Sequence, residues 1–320
     1  MSLLPYIAAT ISVGLTVFGA GAACGQNYPN KPIRIVTAAA GGSNDFISRI
    51  IAHGISGPLG QPVIVDNRAG GVVAADLVSK APTDGYTLLQ QSNAVWIGPL
   101  LQKVPYDPVA DLAPITAMAK APNILTVHPS VAANSVKDLI TLAKAKPGDL
   151  NFASGGTGGG SHLSGELFKY LAGVKIVRIA YKGGSAAVID LLAGRVQMLF
   201  DDVPTLMPSI KSGKLRALAV TSAEPSALAP GLPTMAAAGV PGYVFESTQG
   251  VWAPAKTPQV VIRRLNQELA RLANQPEVKE KLFTNGLEPV ANSPEQFGSM
   301  VKADMTSMGK VIQAAGIRAD

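Results

Sequence analysis

Short apolar runs alternate with longer stretches in which apolar residues recur every three or four positions, from about residue 33 to the end of the chain. The short runs are typical of buried strands, and the second spacing is typical of amphipathic helices. Because the two patterns alternate along nearly the whole chain, we predict an α/β fold with helices layered on mostly parallel sheets. The predicted strands are Ile33–Ala38, Val63–Val65, Tyr86–Gln90, Ile124–Val127, Leu150–Ala153, Ile176–Ile179, Val196–Phe200, Leu215–Val220 and Gly250–Ala253.

Helices are predicted between these strands, and several begin at recognisable start signals. Ser135 is a capping residue ahead of Val136, while Pro258 and Pro294 suit a first helical turn, where the missing N–H is not needed. Gly148 and Gly286 follow Pro and Asn and predict sharp helix stops. The predicted helices are Asp45–Ile55, Ala74–Lys80, Val136–Ala145, His162–Leu171, Ser185–Leu192, Pro258–Asn274 and Pro294 to Ala315.

The length of 320 residues favours two lobes, since cores tend to split beyond roughly 250 residues. We expect a discontinuous first domain over residues 26–127 plus 249–320 and a second domain over residues 128–248. The boundaries fall near His128-Pro129, where an apolar strand meets a turn, and near Glu246-Ser247-Thr248. Two crossings between the lobes predict a hinge with a cleft beside it.

The N-terminal segment predicts export. Residues 3–23 carry no charge and end in small residues, so we expect a signal peptide over residues 1–25, cleaved in a periplasmic protein. No Lys or Arg precedes the run, which approaches the roughly 20 residues that span a bilayer, so an uncleaved anchor is the alternative. Cys24, the only cysteine, is a candidate lipidation site, although Gly21 stands where such signals carry a large aliphatic residue.

Composition and charge exclude several classes of protein. Apolar residues make up 47% of the chain, and one cysteine cannot form a disulfide framework. The net charge of +6 is spread over scattered Lys and Arg residues, so no basic stripe predicts a nucleic-acid partner. A mildly basic surface can still attract anionic solutes.

Two segments share the plan of a strand, a glycine-rich turn with hydroxyl or amide side chains, and an amphipathic helix. They are Ala40-Gly41-Gly42-Ser43-Asn44-Asp45 and Ser154-Gly155-Gly156-Thr157-Gly158-Gly159-Gly160-Ser161-His162. Such a turn leaves N–H groups free at a helix N-terminus, where they can bind a carboxylate. One such loop alone is more often an ordinary capped turn. One loop in each expected lobe, at the carboxyl end of a strand, favours a binding site.

Other chemistries fit the sequence less well. Ser161 stands where a dinucleotide loop needs its third glycine and where a phosphate loop needs lysine. The histidines are His53, His128 and His162, and none forms a metal-ligand spacing with another or accompanies a nucleophile motif. We therefore expect no metal, no cofactor and no enzymatic activity. An enzyme that uses His162 with an acid near Asp201 remains the rival hypothesis.

At these residues the chain resembles the Bug-type periplasmic solute-binding proteins, the receptors of tripartite tricarboxylate transporters. The resemblance covers nearly all of the chain beyond the leader. It rests on Tyr28 to Arg34, Gly41 to Asp45, Leu59 to Val63, Asp66 to Arg68, Asp84 to Leu88, Leu142 to Gly148, Gly155 to His162, Gly165 to Phe168, Tyr181 to Gly184 and Gly213 to Val220.

The resemblance implies a two-lobed, type II-like Venus flytrap in which each lobe is a mixed sheet flanked by helices. It also implies a protein that binds a small carboxylate, delivers it to the transporter's membrane components and needs no cofactor. We expect a monomer, but the sequence leaves the oligomeric state open. A ligand-loaded partner of a membrane signalling protein is the alternative. By this resemblance the ligand-binding residues are Gly42, Ser43, Asn44, Asp45, Ser154, Gly155, Gly156, Thr157, Ser161 and His162 in the loops, and Ser92, Asn93, Tyr181, Asp201, Asp202 and Gln249 for selectivity.

The chain departs from the family pattern at three places. Ala40 replaces a usual proline, Asp201-Asp202 replaces a usual Asp-Asn, and Ser247-Thr248-Gln249 replaces a more aromatic segment. A second carboxylate in the cleft would repel a multiply charged anion or attract an amino group. From these departures we expect a monocarboxylate or an amino acid rather than citrate. The sequence leaves the identity of the ligand open among mono- and dicarboxylates, amino acids and aromatic acids.

Overall fold

The computed structural model describes residues 28–68, 71–181 and 184–318; the predicted signal peptide and Cys24 lie outside them. The strands are β1 (Ile33–Thr37), β2 (Val63–Asn67), β3 (Thr87–Ser92), β4 (Leu112–Val127), β5 (Asn151–Ser154), β6 (Val177–Ala180), β7 (Met198–Asp202), β8 (Arg216–Val220), β9 (Glu246–Pro254) and β10 (Glu288–Pro289). The helices are α1 (Ser43–Leu59), α2 (Gly71–Ser79), α3 (Ala94–Leu101), α4 (Val136–Ala145), α5 (Gly160–Ala172), α6 (Gly184–Leu192), α7 (Val203–Lys211), α8 (Gln259–Ala273), α9 (Pro276–Thr284) and α10 (Pro294–Ala315).

The strands form one curled mixed sheet that divides into two halves. Its main order is β2-β1-β3-β9-β4-β7-β5-β6, with β8 and β10 also paired to β4. β1 runs parallel to β2 and β3, and β5 runs parallel to β6 and β7. The first half, with α1–α3 and α8–α10, is called the first lobe below; the second half, with α4–α7, is called the second lobe. The predicted α/β, two-lobed fold is confirmed.

β4 and β9 connect the two halves of the sheet. β4 pairs with β9 as far as Pro122 and with β7 from Asn123 onward. The strand predicted to begin at Ile124 therefore begins at Leu112. Pro114, Pro122 and the charged Lys120 interrupt the apolar run, and register shifts at Pro114/Thr116 and Ala117/Ala119 break its alternation. The predicted domain boundaries near His128 and Thr248 stay predictions.

Three helices were not predicted, and features of their own sequences explain why. α3 is apolar on all sides and contains Gly98 and Pro99, so it shows no amphipathic period. α7 follows β7 without a connecting turn and contains Pro208. α9 is a short helix separated from α8 only by residues 274–275. By contrast, α4 has the predicted ends, and the Ser135 side chain accepts a hydrogen bond from the Asp138 N–H as a cap.

The core lies between the sheet and the helices of each lobe. In the first lobe, isoleucines of β1 and α1 pack with α8, and Trp252 of β9 lies 5.8 Å from Trp96 of α3 and 4.9 Å from Phe297 of α10, between ring centroids. In the second lobe, Phe168 of α5 packs against Phe200 of β7, with 5.9 Å between ring centroids. α10 contacts β4 and α3, and it also contacts α5 of the second lobe. The C-terminal helix thus returns to the first lobe and touches the second.

Candidate functional site

The turn between β1 and α1 is open toward solvent. α1 begins at Ser43 with Gly42 as its N-cap residue, and among the described residues no side chain caps it. Gly41 has φ +90°, a conformation that glycine adopts without strain. A Cβ on Gly42 would meet no described atom within 4 Å. The first N–H groups of α1 are therefore accessible to a small ligand.

The Asp45 side chain holds this turn in place through hydrogen bonds and an ion pair. Its carboxylate accepts hydrogen bonds from the Gly41 N–H at 3.0 Å and the Asn67 side chain at 2.9 Å, and it pairs with Arg49 at 3.0 Å. The hydrogen bond from Arg49, followed by that from Gly41, lowers the pKa of Asp45 to about 2. Its oxygens are thus engaged by the protein, which fits a loop-positioning role.

A buried polar layer lies behind the same turn. The Asn44 amide donates to Gln91 Oε1, and Gln90 Nε2 donates to Gln249 Oε1 at 3.2 Å. Thr37 Oγ1 donates to Gln90 Oε1 at 3.0 Å. Gln249 lies opposite Ser92 in the β3–β9 register. Gln249 is therefore part of the support beneath the turn.

The turn between β5 and α5 is held by three internal hydrogen bonds. Ser161 Oγ accepts from the Gly155 N–H at 2.9 Å, His162 Nδ1 accepts from the Gly158 N–H at 3.0 Å, and the Gly159 N–H donates to the Gly156 carbonyl at 3.1 Å. Gly159 is the N-cap residue, so within the described chain no side chain caps α5. The first N–H groups of α5 are free for a ligand as well.

Burial keeps His162 neutral. The side chain is 4% exposed, and burial, with smaller contributions from Arg178 and Lys169, lowers its pKa to about 4. Because Nδ1 accepts a hydrogen bond from Gly158, the ring proton belongs on Nε2, which lies 4.0 Å from Glu166 Oε1. His162 fixes the shape of the loop.

Arg178 on β6 supports the second turn and was not singled out from the sequence. Its guanidinium donates to Ser154 Oγ at 2.7 Å, to the Gly155 carbonyl at 3.1 Å and to Thr157 Oγ1 at 3.5 Å. This places a permanent positive charge directly behind the loop. A lone arginine in an edge strand gives no sequence signal of such a role.

A cavity of about 390 Å³ lies between the lobes. Its lining residues are Gly71, Val72, Ser92, Asn93, Ala94, Ile97, Gly98, Leu101 and Gln102 of the first lobe, Thr157, Gly158, Gly159, Gly160 and Leu163 of the second, and Phe245 and Ser247 at the start of β9. The lobes meet at its edge, because a Cβ on Gly158 would lie 2.5 Å from Leu101 Cδ1. The cavity thus joins the second turn to the end of β3.

Residues 47–317 match the family model described as the tripartite tricarboxylate transporter family receptor. This chain belongs to that family. BugT of Bordetella pertussis is 35% identical over 315 residues, which cover 96% of this chain and 97% of BugT. The R. palustris protein Rpa4515, solved with adipate, is 36% identical with a TM-score of 0.72, covering 92% of this chain and all of that one. MatC from Rhodopseudomonas palustris, solved with malate, is 26% identical with a TM-score of 0.67, covering 89% of this chain and all of that one.

The family membership confirms the resemblance read from the sequence and makes this chain a solute-binding receptor. The structural relative BugD is a periplasmic binding protein, which is consistent with the expectation of no enzymatic activity. Among the described residues, no group of His, Cys, Asp and Glu side chains forms a metal site, and no helix is both long and apolar enough to span a membrane.

Of the residues predicted to bind ligand, Ser92, Asn93 and Thr157 line the receptor's cavity. Residues 42–44 of the first turn are not among the residues that line it. Asn44 hydrogen-bonds to Gln91, whose Nε2 would lie 2.9 Å from a Cβ on Gly71, a residue that does line the cavity. The apolar walls formed by Val72, Ile97, Leu101, Leu163 and Phe245 were not predicted. They come from separate segments whose apolar residues look like ordinary core residues in the sequence.

Tyr181, Asp201 and Asp202 are not among the residues that line this cavity. The Tyr181 hydroxyl donates to Asp190 at 2.8 Å, and Asp201 Oδ1 accepts from the Asp202 N–H at 2.8 Å. Desolvation of the carboxyl by the surrounding residues, and then the neighbouring Asp201, raise the pKa of Asp202 to about 6, although the residue as a whole is exposed to solvent. The role of all three in selectivity stays a prediction.

Proposed function

We propose that this receptor captures a small carboxylate-bearing solute between its lobes and delivers it to the membrane components of a tripartite tricarboxylate-type transporter. The observation that carries the proposal is the pair of uncapped helix N-termini, α1 in one lobe and α5 in the other. Each follows a strand of the parallel part of the sheet, where ligands of open α/β folds bind.

The chemistry of both turns suits a carboxylate. Free N–H groups and the helix dipole favour an anion at each N-terminus. Arg178 adds a full positive charge behind the second turn, and His162 stays neutral and directs its acceptor nitrogen into the loop instead of the cleft. The adipate and malate of the relatives are carboxylates, which supports the same ligand class here.

The proposal includes an extracytoplasmic site of action. The apolar leader over residues 1–25 fits a signal peptide, and the solved relative BugD is a periplasmic binding protein. In that compartment the receptor would collect solute, close around it and dock on its transporter without chemical turnover.

A thermal-shift screen against organic acids tests the proposal, because a ligand that binds only the native state raises the melting temperature. At least one carboxylate is expected to shift the native protein. Gly42→Leu should abolish that shift while leaving the protein folded, since the new side chain enters open space at the helix start. Ala303→Leu, at an exposed site on α10, is the control and should respond like the native protein. Equal shifts in both variants, or none with any acid, would overturn the proposal.

A further inference from the structure

A second pocket, called the α10 pocket below, lies on the first lobe between the start of β4 and the first turns of α10. It shares no lining residue with the cavity between the lobes, so it is a separate site. Its volume is about 230 Å³. Since an apolar cavity of roughly 150 Å³ can hold benzene, this pocket has room for a single ring with a short substituent.

Trp252 of β9 brings a hydrogen-bond donor to the α10 pocket. The side chain is 1% exposed, and its rings pack against Trp96 and Phe297, whose ring centroids lie 5.8 and 4.9 Å away. Among the described residues, none accepts a hydrogen bond from Trp252 Nε1, and this nitrogen is not sealed from solvent. The Trp96 indole, by contrast, donates to Asp304 Oδ2 at 2.5 Å. Because Trp252 lines the pocket, an acceptor for its N–H has to enter there.

The walls around this donor are apolar and held in place. Three of the lining residues are prolines: Pro108, Pro114 and Pro294. The Asp107 carboxylate accepts hydrogen bonds from the Val109 and Ala110 N–H groups at 2.7 and 2.9 Å, which fixes the turn that carries Val109. Pro294 belongs to the first turn of α10, which begins with a capping box. A ligand therefore enters a preformed pocket and orders little of the protein on binding.

Water alone satisfies this donor poorly. Apart from Ser299, the uncharged side chains that line the pocket carry no hydrogen-bonding group besides the Trp252 indole. A buried water usually makes about three hydrogen bonds, and these walls do not supply them. An organic molecule with one acceptor oxygen can bond to the N–H and bury its carbon atoms against the prolines, Leu112 and Val301.

The charged residues of the pocket indicate that the acceptor is neutral. Glu295 and Lys302 are the charged residues that line it, and both are exposed, so their charges lie at the solvent-facing rim. A carboxylate placed against the indole would lose its hydration without a cation beside it. A ketone or amide oxygen loses much less, so it fits the floor of the pocket better.

We propose that the α10 pocket is a second ligand site, which binds a compact apolar molecule through a neutral carbonyl oxygen that accepts a hydrogen bond from Trp252 Nε1. Its ligand class differs from that of the cavity between the lobes, where a carboxylate is proposed to bind. The site goes beyond the receptor's proposed function and does not depend on it, because the two share no lining residue.

Two probes of equal shape test this chemistry: cyclohexyl methyl ketone, and cyclohexanecarboxylate, in which an anionic oxygen replaces the methyl group. Because the chain has two tryptophans, its ¹H–¹⁵N spectrum contains two indole signals, which NOE contacts assign. The ketone is expected to move the Trp252 signal to saturation, with a dissociation constant on the order of 1 mM for a ligand of this size. It should move the Trp96 signal less, since that N–H already donates to Asp304. The carboxylate is expected to bind in this pocket at least about tenfold more weakly.

Ser299→Phe obstructs the pocket with little risk to the fold. Ser299 lines the pocket and is exposed, so a bulky ring there occupies the space of the ligand without entering the core. The affinity for the ketone is expected to fall at least about tenfold, because the apolar walls are already covered. Ser307→Phe makes the same change at an exposed position of α10 outside the pocket. This control should bind the ketone as the native protein does.

Three results would overturn the second site. The first is a Trp252 signal that the ketone leaves unmoved, as it would be if only water enters the pocket. The second is equal affinity of the ketone and the carboxylate at this signal, and the third is undiminished binding of the ketone by Ser299→Phe. None of these results bears on the carboxylate receptor, whose own test is the thermal screen with organic acids.

Discussion

His162 shows how one buried side chain links loop shape to pH. An unfolded chain binds a proton on histidine near pH 6.5, whereas the folded protein binds it only near pH 4. Between these values the unfolded state holds more protons, so the free energy of unfolding falls as the pH drops from about 6.5 to 4. A difference of this size corresponds to roughly 3 kcal/mol.

His162→Asn is expected to remove this contribution. The Asn Oδ1 can replace Nδ1 as acceptor for the Gly158 N–H, so the loop keeps its hydrogen bond, but asparagine does not titrate. Urea unfolding at pH 7 and pH 5 should show a smaller loss of stability in the variant than in the native protein. His53→Asn, on the exposed side of α1, serves as the control. The same loss of stability in the native protein and in His162→Asn would contradict the assignment.

Asp202 changes the free energy of unfolding with pH in the opposite direction to His162. Its pKa is raised to about 6, so the folded state holds the proton in a range where the unfolded carboxyl has released it. Its contribution to stability therefore grows as the pH falls through 6 and is lost as the pH rises. Because Asp202 is exposed, solvent screening keeps this contribution small. Because Asp202 is present in both proteins compared above, it cancels from the comparison of His162→Asn with the native protein.

At the scale of elements, α10 has clear sequence signals at both of its ends, and it contacts both lobes. Ser293 and Gln296 form a reciprocal capping box, Pro294 occupies the first turn, and Gly316 ends the helix with φ +64°. The helix contacts β4 and α3 in one lobe and α5 in the other. Weakening its start should therefore be measurable in the stability of the whole protein.

Ser293→Ala is expected to lower the free energy of unfolding by about 1 kcal/mol, because the Gln296 N–H loses its side-chain acceptor. The measurement is the urea midpoint at pH 7. Ser307→Ala, an exposed position within the same helix, controls for the loss of a hydroxyl and should leave the midpoint nearly unchanged. If both variants behave alike, the capping box does not stabilise α10.

The sequence predicts some helices and turns of this protein well and misses others. α4 and α10 were predicted closely because caps and amphipathic period agree, and the two turns were found because glycine and serine precede helices. α3 was missed because it is apolar on all sides, although it forms one wall of the cavity. The contact between Leu101 and Gly158 depends on how the two lobes pack together. Arg178 of β6 hydrogen-bonds to Ser154 at the end of the neighbouring strand β5. No local pattern encodes either contact.

At the scale of the whole molecule, the two lobes are joined through β4 and β9 and share one cavity. A ligand that contacts both lobes stabilises arrangements in which they approach each other, since it can shift a conformational equilibrium only through better contacts in one state. The residues of the site are divided between the lobes: Asn93 and Ile97 lie in the first, Thr157 and Leu163 in the second. Binding is therefore expected to be coupled to lobe closure.

Distance measurements between the lobes test this coupling. Dyes on His53→Cys in the first lobe and Lys214→Cys in the second, with Cys24→Ser, should give higher energy-transfer efficiency when a binding carboxylate is added; both labelled sites are exposed. The control pair, His53→Cys with Lys279→Cys, lies within the first lobe and should not change. Gly42→Leu in the cross-lobe pair should suppress the response, because the ligand no longer reaches the start of α1. If calorimetry detects binding but the cross-lobe distance stays constant, the cavity is already closed without ligand, and recognition must proceed without lobe movement.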